Sequence, residues 1–157
     1  QLVWKLREDP RVVVMENTNF RYSKLEDFTE GQPEFASIDV SFISLKLILP
    51  ALKNIIKTHG SVVSLIKPQF EAGRENVGKH GIVRDRKVHE EVLKNVLAMA
   101  NAEGFNVKGL DFSPIKGGEG NIEFLAWLER SDTDQGVIEE NVDTQKVIDS
   151  AYSNLNS

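Results

Sequence analysis

Residues 35–68 read FASIDVSFISLKLILPALKNIIKTHGSVVSLIKP and indicate the architecture of the chain. The apolar run at 35–42 predicts a strand. Ser44 can cap a helix that continues to about residue 58, and Pro50 is expected to kink or split this helix. The run at 61–67 predicts the next strand. A strand, a helix and a strand in this order are typical of a parallel crossover unit.

The flanking segments extend the same pattern. Residues 11–16 predict an earlier strand, and residues 85–103 predict a helix with one apolar stripe. Residues 106–115 and 122–129 predict two strands that form a hairpin around the glycine-rich turn at 117–121. We therefore expect an α/β fold with a doubly wound, Rossmann-like sheet, mainly parallel, that ends in an antiparallel C-terminal hairpin strand.

Charge divides the 157 residues into two parts. The formal net charge is −5, but residues 131–157 hold six acids and one base, whereas residues 1–130 hold 18 of each. We expect a neutral domain over 1–130 and an acidic extension over 131–157 that is helical from about residue 137. The low pI is therefore weak evidence against a nucleic-acid partner, because local basic patches control that interaction.

Two further features of the composition narrow the class of protein. No apolar run approaches the ~20 residues that a membrane-spanning helix needs. The chain has no cysteine, which excludes disulfides and thiolate metal sites and fits a cytoplasmic protein. His80 and His89 have no third ligand at the spacing of a metal site, so no metal is expected.

Three charged residues lie at the ends of predicted strands. Asp39 interrupts an apolar strand, Lys67 closes the next one, and Glu123 follows the glycine-rich turn. The carboxyl ends of parallel strands meet at one edge of a sheet, so two acids and a lysine there can orient and deprotonate a weak nucleophile. Asp39 and Lys67 could instead form a structural pair, or Lys67 could extend to solvent. By local chemistry Glu119 is as good a candidate as Glu123.

Other candidates are weaker by position alone. Glu16 ends the first strand, where an acid often binds a cofactor ribose and is as often simply solvated. The glycine-containing loop at 73–84 carries cations that could contact phosphates, although it could also be a mobile polar loop. Its candidate RNA-binding residues are Arg74, Lys79 and Arg84. Trp4 and Trp127 are expected in the core rather than as platforms for bases.

Several motifs in fixed order resemble the TlyA family, also called hemolysin A-like proteins. Members of this family are ribosomal RNA 2′-O-methyltransferases with an FtsJ-like catalytic domain. The resemblance covers residues 1–130. It rests on QLVWKLR (1–7), DPRVVVMENTNFR (9–21), DVSFIS (39–44), LIKPQFEAG (65–73), GIVRD (81–85) and the segment from SP (113–114) to GNIEF (120–124).

The resemblance implies a mechanism and a cofactor. The family uses a Lys-Asp-Lys-Glu tetrad, of which Asp39, Lys67 and Glu123 match the last three members, and Glu123 is preferred to Glu119 because it follows the Gly-Asn pair. The implied cofactor is S-adenosylmethionine, and the implied substrate is ribosomal RNA, free or in a subunit, methylated at a cytidine ribose. The residues matched to the cofactor site are Glu16, Asn19, Arg21 and Asp27.

By the same resemblance, the first lysine, the first strand with its glycine-rich loop and an S4-type RNA-binding domain precede Gln1. The chain by itself is therefore expected not to complete the cofactor site.

Three other functions compete with this interpretation. A module could bind RNA without turnover, although three tetrad members argue against that. A membrane-active hemolysin would need a basic amphipathic helix or a long apolar segment, and the C-terminal helix pattern is acidic instead. A dehydrogenase is the alternative enzyme on fold alone.

Overall fold

The structure, a computed structural model, describes residues 12–16, 32–39, 45–73, 77–78, 81–116 and 120–155. Its centre is a five-stranded sheet in the order β1-β2-β3-β5-β4. The strands are β1 (Val12–Glu16), β2 (Phe35–Asp39), β3 (Ser61–Ile66), β4 (Phe105–Phe112) and β5 (Phe124–Arg130). Strands β1, β2 and β3 are parallel, and β5 runs antiparallel to both β3 and β4. The predicted α/β class, with its mainly parallel sheet and antiparallel hairpin strand, is confirmed.

Within the described residues, four helices accompany the sheet: α1 (Leu45–Lys53), α2 (Pro68–Glu71), α3 (Arg86–Ala102) and α4 (Thr144–Leu155). Helix α3 begins where the sequence predicts, because the Asp85 side chain accepts a hydrogen bond of 2.9 Å from the backbone N–H of Lys87. Helix α2 was not predicted. It places Pro68 in its first turn, where a missing backbone N–H costs nothing.

One face of the sheet forms the core. Alternate residues of β2, β3 and β5 are buried together with the apolar stripes of α1, α3 and α4. The opposite face is more open, and Trp127 on β5 is 47% exposed. The expectation of a core position for Trp127 is therefore wrong. Period-two alternation puts this residue on the side opposite Ala126 and Leu128, which are buried.

Two helix boundaries also differ from the prediction. Helix α1 contains Pro50 without being split and ends at Lys53 rather than near residue 58. Beyond this end, the backbone N–H of Lys57 donates to Pro33 O at 2.9 Å instead of to the preceding turn. Helix α4 begins at Thr144 rather than near residue 137, with the Asp143 carboxylate accepting from the backbone N–H of Lys146 at 3.1 Å.

The residues before α4 are extended and follow the outer edge of β4. The N–H of Val107 donates to Val137 O at 2.8 Å, and the N–H of Glu139 donates to Val107 O at 3.0 Å. These bonds make a parallel bridge between Val107 and Ile138. The C-terminal segment is thus attached to the sheet. Across the described ranges, no helix is long and apolar enough to cross a membrane.

Candidate active site

The three strand-end residues meet at one edge of the sheet. Asp39 is the last residue of β2, Lys67 directly follows β3, and Glu123 directly precedes β5. Because β5 is antiparallel to β3 and Ile66 pairs with Phe124, Lys67 and Glu123 lie at neighbouring positions. The structure therefore brings together the residues that the sequence singled out.

Lys67 and Asp39 form a close ion pair. Lys67 Nζ lies 2.7 Å from Asp39 Oδ1, and the side chains are 15% and 45% exposed respectively. The backbone of Lys67 is extended (φ −109°, ψ 97°), as expected for a residue before Pro68. The proline thus ends the strand and holds the lysine at the sheet edge, with most of its side chain withdrawn from solvent.

Glu123 is a buried carboxylate with a side-chain donor. It is 5% exposed, and Gln69 Nε2 donates to its Oε2 at 2.7 Å. A buried carboxylate is costly unless hydrogen bonds compensate it, so Gln69 supports the position of Glu123. The backbone oxygen of Glu123 accepts from the N–H of Ser113 at 2.8 Å, which joins the site to the end of β4. The sequence analysis did not identify Gln69, although it lies only two residues after Lys67.

Glu71 and Asn121 hold the loops around these groups, and their roles also emerge only from the structure. Glu71 Oε2 accepts from the N–H of Leu45 at 3.0 Å and so caps α1 from another element. Asn121 is 2% exposed, accepts from the N–H of Val83 at 2.9 Å, and donates to Gly81 O at 2.8 Å. Asn121 therefore attaches the loop before α3 to the segment that carries Glu123.

The remaining predicted site residues are only partly covered by the structure. The backbone of Glu16 pairs with Asp39 in the register of β1 and β2, so Glu16 reaches the same edge. Arg84 is exposed and lines a cavity beside the site. The other predicted residues lie outside the described residues: Asn19, Arg21, Asp27, Arg74 and Lys79, as does the alternative Glu119. In the described part of the chain, no group of three or more His, Asp or Glu residues could hold a metal ion.

This arrangement suits the handling of a hydroxyl group. An ammonium fixed by a carboxylate can donate a hydrogen bond to an oxygen, and in its neutral form an amine can take the proton from it. The second, buried carboxylate, that of Glu123, lies at the neighbouring position of the same sheet edge. The site therefore combines an orienting group with a proton acceptor.

Comparisons with known proteins agree with this chemistry. A family model described as FtsJ-like methyltransferase matches residues 1–130. A candidate rRNA methyltransferase of Bacillus subtilis (strain 168), YqxC, is 56% identical over 158 residues, which cover 99% of this chain and 56% of the relative. The 16S/23S rRNA (cytidine-2′-O)-methyltransferase TlyA of Mycobacterium tuberculosis (strain H37Rv) is 39% identical over 137 residues, which cover 87% of this chain and 50% of that protein.

A solved structure is similar as well. A candidate hemolysin from Streptococcus thermophilus superposes with a TM-score of 0.86 at 58% sequence identity, covering 99% of this chain and 56% of that one. The chain thus spans about half the length of the relatives that it matches.

Proposed function

Because the chain belongs to the FtsJ-like methyltransferase family, we propose that it carries the acceptor side of a site that methylates a ribose 2′-hydroxyl of ribosomal RNA. The proposed methyl donor is S-adenosylmethionine, and the proposed target is a cytidine, as the name of the mycobacterial relative states for that protein. Such a reaction would take place where ribosomes are, in the cytoplasm.

The observation that carries the proposal is the pair of Lys67 and Asp39 beside the buried Glu123. Lys67 Nζ is 2.7 Å from Asp39 Oδ1, and only 15% of the lysine side chain is exposed. An ion pair in a purely structural role on a surface stabilises a protein by at most about 1 kcal/mol, whereas this amine is largely withdrawn from solvent and lies one position from a buried acid. It is well suited to hold a ribose hydroxyl in one orientation.

In the proposed reaction, bound S-adenosylmethionine supplies a methyl group that is already activated on a sulfonium. The protein then has to align the acceptor and manage one proton. Lys67 Nζ would orient the 2′-hydroxyl and, in its neutral form, accept its proton, while the donor would release its methyl group from sulfur to that oxygen and leave as the neutral thioether. Asp39 and Glu123 hold the resulting ammonium, and Gln69 keeps Glu123 in place.

We propose that the cofactor binds at the adjacent part of the edge. Strands β1 and β2 end side by side with Glu16 paired to Asp39, so two acidic residues occupy neighbouring carboxyl ends of parallel strands. Acids at such positions accept hydrogen bonds from ribose hydroxyls. We propose that Glu16, Asn19, Arg21 and Asp27 hold the nucleoside portion of the cofactor.

The test is transfer of radiolabelled methyl to ribosomal subunits and to free ribosomal RNA, followed by digestion to nucleosides. It uses this chain and, in parallel, a longer form that spans the whole length of the relatives. Label on 2′-O-methylcytidine supports the proposal. Label on a base keeps the family but overturns the hydroxyl chemistry, and no label with either form overturns the proposed activity.

Lys67→Ala separates the role of the lysine from cofactor binding. In the longer form, it should lower the rate of transfer by a factor of about 10² to 10⁴, the range typical for loss of a general base, while S-adenosylmethionine binding by calorimetry stays within about twofold. Lys94→Ala, on the exposed side of α3, is the matched control and should leave both quantities unchanged. Equal loss of transfer and of cofactor binding would refute the role assigned to Lys67.

A further inference from the structure

The cavity that Arg84 lines lies beside the site, on the side of the sheet away from β1. Its volume is about 480 Å³, within the range of small-ligand pockets. Its walls come from the loop before α3, from α3 itself, from both ends of the β4–β5 connection and from α4. The residues that the argument uses are Arg84, His89, Lys116, Gly120, Ile122 and Tyr152. Gly120 and Ile122 lie three positions and one position before Glu123 in the chain. The cavity therefore adjoins the sheet edge that carries Glu123.

The charge of the cavity is positive. Arg84 and Lys116 are both exposed, and within the described ranges neither has an ion-pair partner. None of the described lining residues is acidic. Of the described acids near the cavity, Glu90 and Asp149 pair with Arg86 at 3.1 Å and 2.7 Å, and the Asp85 carboxylate accepts from the backbone N–H of Lys87. Two unneutralised cations at the mouth of a cavity favour an anionic ligand.

The inner wall is a pair of neutral polar groups. His89 is 1% exposed, its Nδ1 lies 2.5 Å from Tyr152 Oη, and its ring packs edge-on against Phe124 at 5.9 Å. Burial lowers the pKa of His89 and raises the pKa of Tyr152, so both are neutral near pH 7. If Tyr152 donates to Nδ1, the N–H at Nε2 has no described partner; if Nδ1 donates, the tyrosine O–H remains free. Either tautomer leaves one donor in this wall.

The location, size and charge of the cavity together point to a nucleotide. We propose that it binds a phosphate-bearing nucleotide of the RNA next to the one that is methylated, with Arg84 and Lys116 at the phosphate and Tyr152 of the C-terminal extension as a wall. This inference rests on the proposed function, because a ribose held at Lys67 places its neighbours along the same sheet edge. Through Tyr152, residues 131–155 would then contribute to the RNA-binding site.

The experiment measures binding of cytidine 3′,5′-bisphosphate to this chain by NMR, without S-adenosylmethionine, with cytidine as the uncharged probe. The bisphosphate should shift the ring signals of His89 and Tyr152, and cytidine should bind more weakly. The double variant Arg84→Ala/Lys116→Ala should weaken bisphosphate binding at least about tenfold, since each lost cation removes a charge-assisted contact. The control Lys87→Ala/Lys94→Ala removes two exposed lysines of α3 outside this cavity and should change binding less than twofold.

A short single-stranded RNA extends the test to the polymer. Removing both cations should lower the slope of log affinity against log salt by about 1.4, the value expected for two phosphate contacts on single strands. Equal affinities for the double variant and its control, or unchanged His89 and Tyr152 signals, would overturn the inference. Bisphosphate binding at this cavity without any methyl transfer to RNA would instead overturn the proposed function and leave the cavity as a nucleotide site.

Discussion

Acidification should destabilise the fold through one residue, His89. This histidine is buried against Phe124 and Tyr152, and desolvation lowers its pKa, an effect that Asp85 only partly opposes. In the unfolded chain its pKa is about 6.5. As the pH falls, the unfolded state therefore binds the proton before the folded state does. The stabilisation is complete above about pH 6.5 and is lost progressively below it.

The size of this loss in stability follows from the difference between the pKa of His89 in the unfolded and in the folded state. One pH unit below the unfolded pKa, protonation of a single histidine in the unfolded state alone lowers the free energy of unfolding by about 1.4 kcal/mol. Between pH 7.5 and 5.5 His89 can thus account for a loss of up to about 1.4 kcal/mol. Carboxylates also titrate toward the lower end of this interval, so the quantity to compare is the difference between wild type and a variant that lacks the imidazole.

The assay is urea denaturation at pH 7.5, 6.5 and 5.5 for wild type, His89→Gln and His59→Asn. His89→Gln should be less stable at pH 7.5 but should lose up to about 1.4 kcal/mol less than wild type on acidification. His59→Asn removes an exposed imidazole at a position with positive φ, which asparagine tolerates, and should retain the loss because His89 is still present. The same loss in wild type and in His89→Gln would refute the reasoning.

Three further changes test how the site and the C-terminal segment are held. Asn121→Ala removes two buried hydrogen bonds and leaves the N–H of Val83 without its acceptor, so urea denaturation should show a loss of about 2–4 kcal/mol. Asp143→Ala removes the side-chain cap of α4 and should lower stability by about 1 kcal/mol, seen as a reduced melting temperature. Gly136→Ala would place a Cβ 1.8 Å from Phe105 O, so thermal melting should show a larger loss than for Asp143→Ala, and an equal or smaller loss would contradict the close approach.

The sequence predicts the catalytic edge well because the signals involved are local. Asp39, Lys67 and Glu123 each stand where an apolar run begins or ends, and strand order alone then places them together. The family resemblance, which the matched model confirms, chooses Glu123 over Glu119. Pattern and motif thus agree on Asp39 and Lys67, and the motif alone selects Glu123.

The residues that the sequence did not reveal depend on distant partners. Gln69 contacts Glu123 from 54 positions away, and Asn121 contacts the loop at Val83 from 38 positions away. Hydrophobic periodicity in the sequence gives no information about such long-range contacts. The segment after α1 also has a distant partner, since the backbone N–H of Lys57 donates to Pro33 O. The prediction for Trp127 was wrong because an aromatic residue favours a strand but does not indicate which face of the sheet the side chain occupies.

The bridge between Val107 and Ile138 has a consequence for how the molecule behaves among its own copies. An outer strand with free N–H and C=O groups is a template on which another chain can add a strand. Here residues 137–139 occupy part of that template, and α4 covers the apolar surface beside it. A protein cut at residue 130, where the family match ends, would expose both surfaces at once. We therefore expect the acidic extension to protect this edge against self-association, and the unit that folds to be longer than the 130 residues that the family model matches.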